Sequence, residues 1–219
     1  LNADYFQIIL YFYSPNNSLY MKKITICFIG LIALAINAQT TTNKEGSLYQ
    51  FTKVYDTEAT SVKDQNKSGT CWSFSTLSFF ESELKRMGKA DFDLSEMTVV
   101  RNAYIQKAIK YVRMHGTINF GAGGAFHDPL NNLRDFGMMP ESAYPNTLSA
   151  SVKVDHKEMD KVLKAYADAI AKSDGEITSS WLIGYNGILD AYLGKQPETF
   201  TYNGKSYTAR TFNDYLGLK

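Results

Sequence analysis

Apolar positions recur with a helical period over much of the chain. The strongest such segment, 71–87, carries apolar side chains on most of its circumference, and Gly88 provides a C-terminal stop. A second helix is predicted over 96–114, with Asp93 or Ser95 as its N-terminal cap. The pattern therefore predicts a largely buried helix followed closely by a second one.

Three further helices are predicted downstream. A glycine-rich loop over 116–124, where the backbone must bend sharply or be approached closely, leads to a third helix over 128–136. Gly137 stops this helix. An amphipathic stretch over 155–172 then predicts a fourth helix, and a fifth is predicted over 179–193.

A β-hairpin is predicted near the end of the chain. Two β-prone runs, 199–202 and 205–208, flank Asn203-Gly204, a dipeptide typical of a two-residue hairpin turn. No closing structural signal follows the second run. The elements together predict an α+β protein that is mainly helical.

The N-terminal region has the form of a secretory signal peptide. Met21-Lys22-Lys23 precedes an apolar run of about 13 residues, which is short for a membrane span of roughly 20 residues. Ala38 suits the position before a cleavage site. We expect 1–20 to be an upstream extension, 21–38 a cleaved signal peptide and 39–50 a disordered lead, with export to the periplasm or the medium. The alternative is an uncleaved N-terminal anchor.

Charge argues against two classes of partner. The net charge is +1, and removing 1–38 leaves 21 basic and 21 acidic residues. A neutral chain favours neither nucleic acid nor an anionic membrane surface as partner. We therefore predict no nucleic-acid partner and no membrane association after signal cleavage.

Signal cleavage changes the cysteine count. Cys27 lies within the predicted signal peptide, so Cys71 is the one cysteine of the predicted mature chain. An unpaired cysteine in an exported protein indicates a reactive thiol, whereas the alternative is an inert buried one. The count alone does not decide between them. A thiol redox function is disfavoured because no second cysteine is present to resolve a disulfide.

The position of Cys71 favours the reactive alternative. Gly69 and Thr70 place the sulfur at a helix N-terminus, where unpaired amides favour a thiolate. A thiolate that attacks a carbonyl needs fixed donors for the oxygen, which becomes negative. The candidate donors are the backbone amide of Cys71 and the side-chain amide of Gln65. A bend through Gly69 is expected to bring Gln65 back over the helix terminus.

The segment that starts at Gln65 resembles the active-site segment of papain-like cysteine peptidases, Q-x5-C-W-[SA]-F. Further matches follow in the family's order: Asp93-Leu94-Ser95-Glu96, Gly123-Gly124, Gly137-Met138-Met139-Pro140-Glu141 and Tyr144-Pro145. The bleomycin hydrolase and aminopeptidase C group is the most similar branch, on three features. There is no room for a pro-segment, disulfide cysteines are absent, and a helical insertion follows Pro145.

The resemblance implies a papain-like fold and roles for five residues. Cys71 would be the nucleophile and Gln65 the oxyanion donor, while Gly123, Gly124 and Trp72 would bind the substrate. This chain would hold the helical N-terminal subdomain over 51–145 and, over 146–219, a truncated helical insertion with the terminal hairpin. The β-rich second half would be missing. Neither metal nor other cofactor is expected.

The histidines depart from the family pattern. Papain-like catalysis also needs a downstream histidine as base and an asparagine that orients it. His115 ends the second predicted helix, His127 lies in the loop that resembles the family's substrate strip and is a candidate base, and His156 is expected to be a cap or a solvated residue. Asn203 and Asn213 do not resemble the orienting asparagine.

These observations predict the N-terminal fragment of an exported cysteine peptidase or aminopeptidase. The complete enzyme would cleave peptide or protein substrates through an acyl-thioester on Cys71, and the resemblance implies a homo-oligomer. The fragment itself is expected to be inactive because it lacks the histidine and the asparagine. The alternative is a complete, non-catalytic peptide-binding or scaffold module.

Overall fold

The computed structural model describes residues 43–146 and 153–218. The predicted upstream extension (1–20), the signal peptide (21–38) and the first part of the lead lie outside the described residues, as do residues 147–152 of the predicted insertion. The chain divides into two units, Leu1–Asp56 and Thr57–Lys219. In the first unit, the side chain of Asn43 accepts from Phe51 N at 2.6 Å and donates to Phe51 O at 3.1 Å. The disorder expected over 39–50 stays a prediction.

The second unit contains all the regular structure of the described residues. These residues form six helices and one two-stranded sheet, in the order α1 (Cys71–Arg86), α2 (Glu96–Arg113), α3 (His127–Asp135), α4 (Lys157–Ala171), α5 (Ser180–Leu193), β1 (Phe200–Tyr202), β2 (Lys205–Tyr207) and α6 (Ala209–Leu216). The α+β composition predicted from the sequence is confirmed. Within the described range, no helix is both long enough and apolar enough to cross a bilayer.

The ends of α1 and α2 follow the predicted signals. Gly88 adopts a φ of +76° after α1, a left-handed conformation that carries no steric penalty for glycine. Of the two candidate caps for α2, Ser95 is the one used, because its Oγ accepts a hydrogen bond from Thr98 N at 3.1 Å. A cap of this kind stabilises a helix by about 1 kcal/mol.

Helix α2 is the central element of the fold. It contacts α1, α3, α4 and α5. Its contacts bury side chains on several of its sides, and most of the largest fully buried residues of the unit come from α2 and its neighbours: Leu77, Leu84, Met97, Tyr104, Met159, Leu163, Tyr185 and Leu189. Burial of each such side chain contributes about 1.5–3 kcal/mol. Helix α2 also contacts two segments outside the helices, because Glu96 pairs with Lys63 and Lys107 donates to Gly123 O.

The C-terminal hairpin is confirmed, but the helix that follows it was not predicted. Asn203 and Gly204 have φ values of +48° and +74°, as a type I′ turn requires. Helix α6 then begins with a capping box in which Thr208 and Thr211 bond each other's backbone amides. The prediction failed because the usual sequence signature carries Glu or Gln in place of this second threonine. Phe212 holds α6 against the hairpin, with its ring centroid 5.1 Å from that of Tyr202.

Candidate active site

Cys71 is the first residue of α1, and its side chain is exposed. The alternative of an inert buried thiol is therefore wrong. Thr70 provides no side-chain cap, because its hydroxyl lies 2.5 Å from the hydroxyl of Ser68 instead. Among the described residues, the amides of Cys71 and Trp72 have no hydrogen-bond partner. The sulfur thus lies at a helix terminus whose first two N–H groups remain available.

The loop before Cys71 is closed by two reciprocal hydrogen bonds. Gln65 Nε2 donates to Ser68 O at 2.7 Å, and Ser68 Oγ donates to Gln65 O at 2.8 Å. Gly69 lies at a bend of this loop, as the sequence predicted, and Asn66 adopts a positive φ of +49°. An amide nitrogen carries two hydrogens, and Gln65 therefore keeps a second donor for another oxygen.

Gly69 also allows a close approach of two chain segments. A Cβ at this position would lie 2.5 Å from the Cβ of Ala122, which belongs to the glycine-rich loop. We call residues 121–125 the glycine strip. The packing at Gly69 brings the strip directly against the loop that carries Cys71.

Side chains from three helices fix the glycine strip. The indole Nε1 of Trp72 donates to Ala122 O at 3.0 Å. The carboxylate of Asp128, in the first turn of α3, accepts from Ala125 N at 2.8 Å. Lys107 of α2 donates to Gly123 O at 2.6 Å. The strip is thus attached to α1, α2 and α3 at the same time.

The two strip glycines singled out in the sequence differ in their surroundings. A Cβ at Gly124 would lie 2.6 Å from the ring of Trp72, whereas one at Gly123 would have nothing within 4 Å. Both glycines are exposed, and Trp72 is only 5% exposed. Trp72 therefore lies beneath the strip, where it supports Gly124 from below. Within the described part of the chain, neither the N–H nor the C=O of Gly124 has a hydrogen-bond partner.

The opposite side of the Gln65 loop is held by the segment before α4. Lys67 N donates to Val154 O at 3.2 Å, and His156 N donates to Lys67 O at 3.1 Å. His156 is 5% exposed, so the expectation that it is solvated is wrong. It occupies the N-cap position of α4 but makes no side-chain cap hydrogen bond. Burial lowers the pKa of His156 despite the opposing charges of Asp160 and Asp155.

A buried ion cluster anchors the chain just before Gln65. Lys63 Nζ lies 3.0 Å from a carboxylate oxygen of Glu81 on α1 and 3.0 Å from one of Glu96 on α2, and both glutamates are 1% exposed. Asp93 adds a third carboxylate at 2.6 Å. Burial alone would lower the pKa of Lys63, but the attraction of Glu96 and the other carboxylates raises it above the ordinary value. The cluster fixes where the Gln65 loop starts.

The histidines are distributed around the site without meeting the thiol. His115, with a φ of +51°, follows α2 and is exposed. His127 opens α3 with its side chain 71% exposed and its Nε2 3.7 Å from Asp128 Oδ1. Over residues 43–146 and 153–218, no hydrogen bond joins a histidine to the Cys71 sulfur.

Several supporting residues carried no sequence signal. Lys107, Asp128 and Lys63 belong to no motif, and their roles depend on contacts between segments that are distant in the sequence. Glu81 lies on a helix turn rich in charged residues, and its burial cannot be inferred from that pattern.

Comparisons with known proteins agree with this geometry. The family described as "Papain family cysteine protease" matches residues 50–209, which is most of the chain. The chain therefore belongs to the papain family of cysteine proteases. A cathepsin L-like proteinase from Fasciola hepatica is 31% identical over 88 residues, which cover 40% of this chain and 24% of that relative. The match thus spans about a quarter of the length of this curated relative.

Proposed function

We propose that this chain is the N-terminal part of an exported cysteine peptidase or aminopeptidase in which Cys71 is the nucleophile. One observation carries the proposal: the exposed thiol of Cys71 lies at the uncapped start of α1, beside a strip on which Gly124 has both backbone groups free. A thiol and an open backbone edge are what a peptide needs in order to be bound and attacked at one place.

The chemistry would proceed through an acyl-thioester. The Cys71 thiolate attacks the carbonyl carbon of the scissile peptide bond, and the carbonyl oxygen becomes negative. The N–H of Cys71 and the free hydrogen of the Gln65 amide donate to that oxygen. The C–N bond then breaks, and the amine leaves with a proton supplied by a histidine. Water hydrolyses the thioester, which releases the carboxylate product and regenerates the thiolate.

The proposal assigns the histidine and its orienting asparagine to a β-rich second half outside residues 1–219. Its support is the placement of the three histidines, which form no hydrogen bond to Cys71 among the described residues. The isolated chain should then be inactive.

The bleomycin hydrolase and aminopeptidase C group remains the proposed branch. Its support lies in Ser68, which pairs with Thr70 where many papain relatives carry a disulfide cysteine, and in α4 and α5, which pack together after Pro145. Peptide or protein substrates and a homo-oligomeric full-length protein are part of the same proposal. Export rests on the signal-like sequence over 21–38.

The test compares the isolated chain with a longer one. Iodoacetamide should alkylate Cys71 in the isolated chain, and Cys71→Ser should abolish the labelling. Neither form should hydrolyse fluorogenic aminoacyl or peptidyl coumarin amides. An extended chain, encoded by the in-frame sequence 3′ of the Lys219 codon, should hydrolyse them and lose this activity with Cys71→Ser. Turnover by the isolated chain would contradict the fragment proposal.

A non-catalytic peptide-binding or scaffold module is the second candidate. The free backbone edge of Gly124 favours it, since pairing with a peptide needs no histidine. A genuine stop codon directly after Lys219 would support the module. An in-frame continuation with a histidine strand and an asparagine strand would exclude it.

A further inference from the structure

We propose that Lys107 is a positioning residue for the bound peptide, because its ammonium group holds the glycine strip in the shape that leaves Gly124 open. The inference rests on the proposed function, since it assumes that the strip binds a peptide. Lys107 lies on the central helix α2, 36 positions after Cys71 in the sequence and outside every motif that marks the site.

The contacts of Lys107 converge on the strip. Its Nζ donates to Gly123 O at 2.6 Å and approaches Gly121 O at 3.4 Å. The same nitrogen lies 5.1 Å from the ring centroid of Trp72 and 5.7 Å from that of Tyr104, both within the range of cation–π attraction. One ammonium group therefore contacts both the strip backbone and the rings of Trp72 and Tyr104.

The charge of Lys107 is costly to bury, which indicates a specific use. Burial lowers the pKa of Lys107, and the carboxylates of Asp128 and Asp160 act in the opposite direction. Asp128 is also the residue that accepts from Ala125 N. Lys107 and Asp128 thus attach the strip on either side of Gly124 through groups of opposite charge.

Together these hydrogen bonds leave one strip residue with both backbone groups free to pair with a peptide. The carbonyls of Gly121, Ala122 and Gly123 all accept from side chains, and the amide of Ala125 donates to one. Within the described residues, Gly124 is the strip residue whose N–H and C=O are both free. A peptide strand can pair with these two groups only while the neighbouring carbonyls stay turned toward Lys107 and Trp72.

The first arm of the test measures the strip itself, without a ligand. In Lys107→Met the indole N–H of Trp72 should exchange with solvent about tenfold faster, observed by ¹⁵N NMR, because Gly121 O and Gly123 O, which flank the Ala122 carbonyl that accepts from the indole, are no longer held. Lys110→Met is the matched control, since Lys110 lies exposed on the same helix; it should leave the exchange rate unchanged. Lys107→Arg, which keeps a donor, should restore slow exchange. Unchanged exchange in Lys107→Met would overturn the proposal.

The second arm measures binding of acetyl-phenylalanyl-glycinal, an aldehyde that forms a reversible hemithioacetal with a reactive thiol. Lys107→Met should raise its Kd at least tenfold and change the rate of Cys71 alkylation by iodoacetamide less than twofold. Equal Kd values for Lys107→Met and wild type would overturn the positioning role. A matching loss of alkylation would also overturn it, since Lys107 would then act on the start of α1. Failure of the wild-type chain to bind the aldehyde would count against the proposed function, while the exchange arm would still decide whether Lys107 holds the strip.

Discussion

The ring of Trp72 lies so close to the backbone of Gly124 that a Cβ at position 124 would come within 2.6 Å of ring carbons Cδ2 and Cε2. Real Cβ atoms do not approach a neighbour this closely, so glycine at position 124 is a packing requirement. Trp72 directly follows the cysteine, and its indole N–H also holds Ala122. The residue beside the thiol thus determines where the glycine strip lies.

This contact predicts different outcomes for two adjacent glycines. Gly124→Ala should destabilise the protein by about 1–3 kcal/mol and weaken binding of a peptide aldehyde, because the strip must move away from Trp72. Gly123→Ala is the matched control, since its Cβ would meet nothing within 4 Å. Urea unfolding and aldehyde titration of both variants measure these effects. Equal effects in the two variants would show that Trp72 does not support the strip.

The ion cluster around Lys63 predicts a large loss of stability. Lys63→Met leaves the buried carboxylates of Glu81 and Glu96 without their cation, and removing one partner of a buried pair costs about 3–5 kcal/mol. The low end of this range is expected because the Lys63 side chain is 22% exposed. Thermal and urea unfolding provide the measurement.

Lys67→Met serves as the control for that variant. Lys67 is exposed, lies in the same loop and contributes only backbone hydrogen bonds. Its replacement should change the free energy of unfolding by less than about 0.5 kcal/mol. If both variants lose little stability, the cluster around Lys63 does not anchor the loop.

Local patterns predicted the first five helices and the turn, whereas contacts between distant segments could not be predicted. The period of apolar residues and the cap at Ser95 placed α1 and α2, and Asn203-Gly204 placed the hairpin. These signals depend on neighbours a few residues away. The hydrogen bond from His156 N to Lys67 O and the contact of Lys107 with the strip join segments about 90 and 16 residues apart, and no periodicity encodes them.

A buried carboxyl group predicts that stability falls as pH rises. Glu141 accepts from Asn146 N at 2.7 Å, and its other carboxyl oxygen is buried without a partner among the described residues. Burial, with the nearby charges of Glu96 and Asp93, raises the pKa of Glu141 from 4.5 to about 7. Between these values the unfolded chain loses its proton first, so stability declines from about pH 4.5 to pH 7 and stays lower above that.

Glu141→Gln should remove this dependence. Relative to wild type, the variant should gain about 1–3 kcal/mol more at pH 8 than at pH 4, as measured by urea unfolding at both pH values. Glu198→Gln, at an exposed position, should show no such difference. A pH-independent offset for Glu141→Gln would mean that the carboxyl titrates normally in the folded protein.

His156 predicts the opposite dependence on the acid side of neutrality. Its folded pKa lies below the ordinary 6.5, because burial outweighs the attraction of Asp155 and Asp160. As pH falls below about 6.5 the unfolded chain takes up the proton first, so stability is lost, and with it the bridge to Lys67. His156→Asn should flatten the decline between pH 7 and pH 5. His127→Asn, at an exposed histidine, should not.

The two titrations overlap, so the measurement belongs in the Glu141→Gln background. There the opposing slope of the carboxyl is absent, and urea unfolding from pH 7 to pH 5 reports on the histidine. Cys71 alkylation followed over the same range shows whether loss of the bridge reaches the site, since His156 N donates to Lys67 O in the loop between Gln65 and Cys71. A decline that persists in Glu141→Gln/His156→Asn would assign it to another group and leave His156 without a part in the acid sensitivity of the loop.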